Sequence, residues 1–331
     1  MKIKVFYLLF IVALVLIGSC NRKKDNTTQA QTQEAPPASS TQQAVIKPAW
    51  NNTPAQFAYP ELPVTIVDPA AQADYMVEHF WDSLNFNDTL SIHQPGIGQQ
   101  VFQNYVTAMY YADKEAVERS IEKTLSKAET EKTGAMYAFF TESFKKYLYD
   151  PNSPLHNDEY YIPVLQYIIA SKRTEYAERE RAKFYLDMAM KNRTGEKATD
   201  ITYTLASGKT GTLYGIKAKY TILFFYNPDC HGCGETIAQL KIAPFINQGI
   251  KSGTVKLLAF FPDEDLSIWQ KHLPDIPAEW INTYDKERIV EPQKLYDLKA
   301  IPTLYLLDAD KKVLLKDTSV QALEQYLQMN R

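Results

Sequence analysis

Cysteine is scarce in this chain: of its 331 residues three are cysteine, namely Cys20, Cys230 and Cys233. A small exported scaffold held together by disulfides needs several pairs, so that class of protein is excluded. A structural zinc site is disfavoured too, because it needs four ligands and the sequence has neither a second C-x-x-C nor a pair of histidines at ligand spacing. The cysteines therefore indicate chemistry rather than covalent stabilisation.

Strong net charge, internal repeats and a long apolar run are also missing. The net charge of −3 gives no indication of nucleic-acid binding. No repeat of fixed period is present, which argues against a solenoid. The apolar run at residues 5–17 is too short for a membrane-spanning helix, which needs about 20 residues.

The N-terminus has the pattern of an export signal. Lys2 and Lys4 precede the apolar run, whose length fits the roughly 7–15-residue core of a secretory signal. The run leads into Ile17-Gly18-Ser19-Cys20, which resembles the lipobox of bacterial lipoproteins. The resemblance implies that residues 1–19 are a cleaved signal peptide and that Cys20 is lipidated. An ordinary signal peptide followed by an unrelated cysteine is the alternative.

Residues 20–58 are rich in Gln, Thr, Ala, Pro, Ser and Asn. Such a segment cannot bury a core, so we predict a disordered tether. No acidic run follows Cys20, whereas surface-exported lipoproteins of some bacteria carry one. We therefore expect a protein that faces the periplasm and is lipid-anchored to the cell envelope, at the inner leaflet of the outer membrane.

Residues 59–195 have helical periodicity and predict an all-α domain of unknown function. The predicted helices cover residues 99–111, 114–128, 134–149, 159–171 and 174–192. Asp113 is the expected N-cap of the second helix, and Pro163 is expected to kink the fourth or to lie in its first turn. The scattered histidines His79, His93 and His156 are interpreted as packed or surface residues rather than ligands.

From about residue 199 strands alternate with helices, which predicts a mixed α/β sheet with flanking helices over residues 196–331. The predicted strands cover residues 200–205, 221–226, 254–261, 280–284, 304–307 and 313–315. The predicted helices run from Cys233 to about residue 247 and over residues 267–272, 292–298 and 320–329.

Cys230-His231-Gly232-Cys233 is the most informative motif. It follows an apolar strand and the turn Asn227-Pro228-Asp229, and it opens a helix, which is a redox context for a C-x-x-C. Residues three apart on a helix share a face, so the two sulfurs can bond. The first cysteine lies at the helix N-terminus, where the backbone N–H groups and the helix dipole favour the nucleophilic thiolate. The expected redox group is the Cys230–Cys233 disulfide, with no other cofactor and no metal.

Residues 196–331 resemble the thioredoxin-like family, and within it the exported thiol-disulfide oxidoreductases of the TlpA and ResA type. The C-x-x-C, the strand before it and Ile301-Pro302-Thr303 carry the resemblance. It implies that Pro302 is cis and lies against the reactive sulfur, and that the backbone of Ile301 holds the substrate. Residues 59–195 loosely resemble an uncharacterised domain found ahead of such modules in bacterial lipoproteins.

The chain departs from that family at several positions. Phe224 replaces a buried acid of thioredoxin, and Asp229 replaces a tryptophan common before the first cysteine. The acid expected three residues after the second cysteine is Thr236 here, with Glu235 one residue earlier. His231 is expected to stabilise the thiolate by a hydrogen bond or by its charge, which makes the disulfide more oxidising. An exposed linker histidine is the alternative.

The predicted function is thiol–disulfide exchange on periplasmic protein disulfides. Cys230 attacks and Cys233 resolves; the family resemblance favours reduction, with electrons from a membrane donor, whereas His231 favours oxidation or isomerisation. The expected partners are periplasmic thiol and disulfide proteins, and the membrane through the lipid anchor. The alternative is a membrane-anchored binding or scaffold lipoprotein whose disulfide is structural or regulatory.

Overall fold

A computed structural model describes residues 57–94 and 96–330, which belong to one compact unit. The predicted signal peptide, Cys20 and nearly all of the predicted tether lie outside the described residues. Phe57, which the prediction assigned to the tether, is 8% exposed and packs into the hydrophobic core of the helices that follow it. In the described part of the chain, no helix combines the length and apolar character needed to cross a membrane.

The described residues before 196, which we call the helical half, form a layer of packed helices. They are α1 (Pro69–His79), α2 (Phe102–Met109), α3 (Lys114–Glu129), α4 (Ala135–Phe144), α5 (Asp158–Ala170) and α6 (Tyr176–Ala189). Single π-helical turns, Ile97–Val101 and Lys145–Tyr149, precede α2 and follow α4. Asp113 is the N-cap of α3, as predicted, although its side chain makes no capping hydrogen bond. Pro163 lies inside α5 rather than in its first turn.

Residues 196–330, which we call the α/β half, contain one mixed sheet. Its strands are β1 (Thr202–Leu205), β2 (Thr210–Thr212), β3 (Tyr220–Phe225), β4 (Val255–Phe261), β5 (Ile281–Tyr284), β6 (Thr303–Leu307) and β7 (Val313–Leu315). The spatial order is β2-β1-β5-β4-β3-β6-β7. β3 runs parallel to β4 and antiparallel to β6. The helices are α7 (His231–Ile242), α8 (Pro244–Ser252), α9 (Leu266–Lys271) and α10 (Val320–Met329).

Two helix predictions in the α/β half are corrected. The helix after the C-x-x-C ends at Ile242, because Pro244 holds the preceding residue, Ala243, in extended backbone and starts α8 instead. Residues 292–298 form turns rather than a helix. Lys294 has a φ of 50°, outside the helical region, and the amide of Leu295 bonds to the carbonyl of Val290 instead of continuing a helical ladder.

Among the described residues, each hydrophobic core draws its buried members from one half only. The core of the helical half draws its buried members from residues 57–182 and is rich in aromatic rings. The α/β half has one core on each face of its sheet, drawn from residues 198–327. One of these two cores contains Cys233 together with Phe224 and Tyr226, so the sheet face that carries the C-x-x-C is covered by α/β residues.

Candidate functional site

Cys230 occupies the N-cap position of α7. The turn after β3 brings the chain round at Asn227, whose carbonyl accepts a 3.0 Å hydrogen bond from the amide of Cys230. Cys230 has extended backbone, and the helix begins at the next residue. Its side chain is half-buried and a free thiol. The sulfur therefore lies at the start of the helix, where it is accessible from outside.

Cys233 lies one turn into α7 and is fully buried. The pKa of this thiol is raised to about 12, chiefly by burial and also by the neighbouring Cys230, although the amide of Asn227 opposes the rise by donating a 3.4 Å hydrogen bond to Sγ. The two cysteines thus have different surroundings. One is accessible from outside, and the other is enclosed in a core of the α/β half.

The Ile301–Pro302 peptide is cis and faces the C-x-x-C, which confirms the prediction from the sequence. The register of β6 explains the proximity, since Thr303 lies opposite Phe225, at the end of β3. The thiol of Cys230 donates to the carbonyl oxygen of Ile301 at 3.5 Å. The predicted residues Cys230, Cys233, Ile301 and Pro302 are therefore brought together.

Asn227 connects the parts of this site, a role that sequence reasoning missed. Besides its backbone bonds to both cysteines, its Oδ1 accepts from the amide of Asp229 at 2.9 Å, and its Nδ2 donates to Oδ2 of Asp263. Asp263 also contributes to the raised pKa of Cys233, as a nearby negative charge. A signal existed: β3 and β4 are parallel neighbours, and each of these two residues lies two positions after a strand end, so both belong to one edge of the sheet.

His231 does not contact either sulfur. Its side chain is 92% exposed, and its Nε2 lies 3.2 Å from Glu235, one turn further along α7. The hydrogen-bond form of the prediction for His231 is therefore wrong, and the alternative, an exposed linker histidine, describes its position. Asp229 also turns away from the cysteines and lies 3.1 Å from His272.

One group of metal-ligand type occurs among the described residues, and it contains neither cysteine. Ligand atoms of His156, Asp158 and Asp317 lie within 4.8 Å of one another. The ammonium groups of Lys299 and Lys316 lie 3.0 Å and 2.9 Å from the carboxylate of Asp158. The lysines already supply the positive charge there, so we assign an ion cluster rather than a metal site.

The chain is similar to known proteins over most of its length. A family model described as a domain of unknown function, DUF5106, matches residues 19–192. The crystal structure of a thioredoxin-like protein from Bacteroides caccae is 46% identical, with a TM-score of 0.79, over 84% of this chain and 100% of that chain. The C-terminal domain of an uncharacterized protein from Bacteroides fragilis is 53% identical over 41% of this chain and 98% of that chain, with a TM-score of 0.41. No curated protein matches the chain.

Proposed function

Because the chain belongs to the DUF5106 family and its α/β half is thioredoxin-like, we propose that it is a thiol-disulfide oxidoreductase acting on protein disulfides. The observation that carries the proposal is the unequal cysteine pair. Cys230 is accessible at a helix N-terminus beside the cis peptide at Pro302, and Cys233 is buried behind it. A structural disulfide would gain nothing from one open and one closed position.

The reaction proceeds in two exchanges. The Cys230 thiolate attacks one sulfur of the substrate disulfide; a mixed disulfide forms, and the other substrate sulfur leaves as a thiolate that takes up a proton. Cys233 then loses its proton and attacks Sγ of Cys230. The internal disulfide forms, and the second substrate thiol is released. The substrate gains two electrons, and the pair loses them.

We place this activity on the periplasmic face of the cell envelope, in the reducing direction, as in exported oxidoreductases of the TlpA and ResA type. Lipidation at Cys20 and delivery of electrons by a membrane dithiol donor complete the proposal. The motif Ile17-Gly18-Ser19-Cys20 supports the anchor. Direction rests on the family resemblance, since the outward position of His231 leaves it without a contact that stabilises the thiolate.

A redox titration combined with an insulin-reduction assay tests the function. We expect a reduction potential above about −300 mV and turnover of insulin in the presence of a dithiol. A potential below that value without insulin reduction would assign the pair to a structural disulfide, and the chain would then be a scaffold or binding lipoprotein.

A further inference from the structure

A cavity of about 530 Å³ adjoins Pro302. The α/β half lines one side of it, including Pro302, Thr318 and Ala322. The helical half lines the other side with Tyr110, Pro151, Ser153, Pro154 and His156. Its volume falls within the range of sites that hold ligands of several hundred Å³. The helical half therefore reaches the edge of the redox site, although the hydrophobic cores stay separate.

The cavity begins one residue away from the place where a substrate would be bonded. Sγ of Cys230 lies 3.5 Å from the carbonyl oxygen of Ile301, and Pro302 is both the next residue and part of the cavity lining. A polypeptide whose cysteine is bonded to Cys230 would carry its adjoining residues along this peptide and into the cavity. A small disulfide would end before reaching the helical half.

A buried ion cluster fixes the two sides of the cavity to each other. Asp158, 4% exposed at the start of α5, lies 3.0 Å from the ammonium of Lys299 and 2.9 Å from that of Lys316. Lys299 is three residues before Pro302, and it also contacts His156 at 3.2 Å. Lys316 follows β7 and donates to the carbonyls of Ala189 and Lys191, at the end of α6. Ion pairs with several buried hydrogen bonds hold a single geometry, so the cavity is preformed.

Tyr110 is the tyrosine with which the helical half lines this cavity. This residue is 44% exposed. Its hydroxyl donates to the carbonyl of Leu155 at 3.1 Å, and its ring lies edge-on to Tyr160, with the centroids 5.6 Å apart. A tyrosine held in one orientation gives a large contact area at little cost in conformational entropy, which suits polypeptide recognition.

We propose that the helical half forms one side of the substrate groove and that Tyr110 contacts an extended polypeptide segment next to the substrate's reactive cysteine. This inference rests on the proposed function and deepens it. It gives the helical half a direct part in choosing among protein disulfides.

The test compares a protein disulfide with a small one, using the full-length protein. Tyr110→Ala should lower kcat/KM for insulin about tenfold, a typical loss for a contact residue at an interface centre. The rate with dithiodipyridine, a small aromatic disulfide, should not change, and neither should the reduction potential. Tyr111→Ala is the matched control: Tyr111 is 49% exposed beside Tyr110 but does not line the cavity, and this variant should match the wild type with both substrates.

Ala322→Phe supplies a second variant from the opposite side. It fills the cavity from α10 without altering the helical half, and it should give the same selective loss with insulin. Equal insulin rates for Tyr110→Ala and the wild type would overturn the inference, as would an equal loss with both substrates. A wild type that reduces dithiodipyridine but not insulin would also contradict it, whereas one that reduces neither would contradict the proposed function itself.

Discussion

At the scale of single residues, the site depends on a difference in burial between two identical side chains. Cys230 is half-buried, whereas Cys233 is fully buried and has a pKa raised to about 12. A thiol with so high a pKa stays protonated near neutral pH and is a poor initial nucleophile. The proposed order of attack therefore follows from position in the helix rather than from residue type.

Cys233→Ala should accumulate mixed disulfides with partner proteins, because attack by Cys230 continues while resolution is lost. Cys230→Ala should accumulate few, because the buried thiol does not reach a substrate. Non-reducing gels of affinity-purified protein, followed by mass spectrometry, measure both. Equal trapping by the two variants would contradict this division of roles.

Asp263→Asn should lower the pKa of Cys233, since it removes a negative charge that opposes the thiolate, while the amide can still accept from Asn227. The measurement is the pH dependence of thiolate absorbance in a Cys230→Ala background. Burial remains, so the pKa should stay above the ordinary value. Asp265→Asn, a change of the same type two residues along, is the control; an equal shift there would show that the effect is not specific to Asp263.

At the scale of elements, the sequence was informative where local pattern decides structure. Every strand of the sheet was predicted to within a few residues except β2, because apolar alternation and turn residues determine strands locally. The C-x-x-C was predictable from its spacing and its place at the start of a helix. The role of Pro302 was predictable from the family resemblance. The turns at residues 292–298 were predicted as a helix. The packing of Val290 and Tyr296 into the core overrides the helical pattern of this segment.

The ion cluster had no sequence signal. Asp158 and Lys299 are 141 residues apart, and nothing in the local pattern of either distinguishes a buried pair from an exposed charge. The hydrogen bond between Asn227 and Asp263 could have been predicted only after the order of the strands in the sheet was known. Contacts between distant elements are therefore the part that the sequence alone did not supply.

Asp158→Asn should destabilise the protein by about 3–5 kcal/mol, because it leaves two buried ammonium groups without a full charge partner. Equilibrium denaturation measures this cost. Glu159→Gln is the matched control on the next residue: Glu159 pairs with Lys114 and Arg193 at a more exposed position, so its loss should be smaller. An equal effect of the two variants would contradict the buried role of Asp158.

Asp317→Asn should change how stability depends on pH. Burial and the neighbouring Asp158 raise the pKa of Asp317 to about 6, although Lys299, Lys316 and His156 oppose this. A carboxyl whose pKa is higher in the folded state stabilises that state below its unfolded pKa, near 4, and this contribution is lost as the pH rises through about 6. The variant should therefore gain about 2–3 kcal/mol relative to the wild type between pH 4 and pH 7.

The measurement for Asp317→Asn is denaturant unfolding at several pH values. Asparagine tolerates the positive φ of 46° at this position, so the backbone is not strained by the change. A constant difference between variant and wild type across that pH range would show that Asp317 does not titrate there.

At the scale of the whole molecule, two separately packed halves share a polar contact. Hydrophobic burial is the main source of folding free energy, and each half supplies its own. The contact between them includes the ion cluster and the cavity described above. Folding of the α/β half is thus expected to depend on its own cores, whereas its proposed choice of substrate depends on the helical half.

A fragment of residues 196–331 should fold cooperatively as a mixed α/β protein, because its cores are complete without the helical half. Circular dichroism during thermal unfolding measures this. The fragment should be less stable than the full chain, since Lys299 and Lys316 lose Asp158 and become exposed to water. A disordered fragment would show that the helical half completes the fold.

The residue after Asn227 is a proline, and this has a consequence for the lifetime of the protein. Asparagine side chains age by deamidation, in which the backbone nitrogen of the next residue attacks the side-chain amide to form a cyclic imide. The proline nitrogen of Pro228 carries no hydrogen and is already fully substituted, so this ring closure is blocked. The side chain that bonds the turn at Asp229 to Asp263 is thereby protected from the commonest spontaneous damage to asparagine.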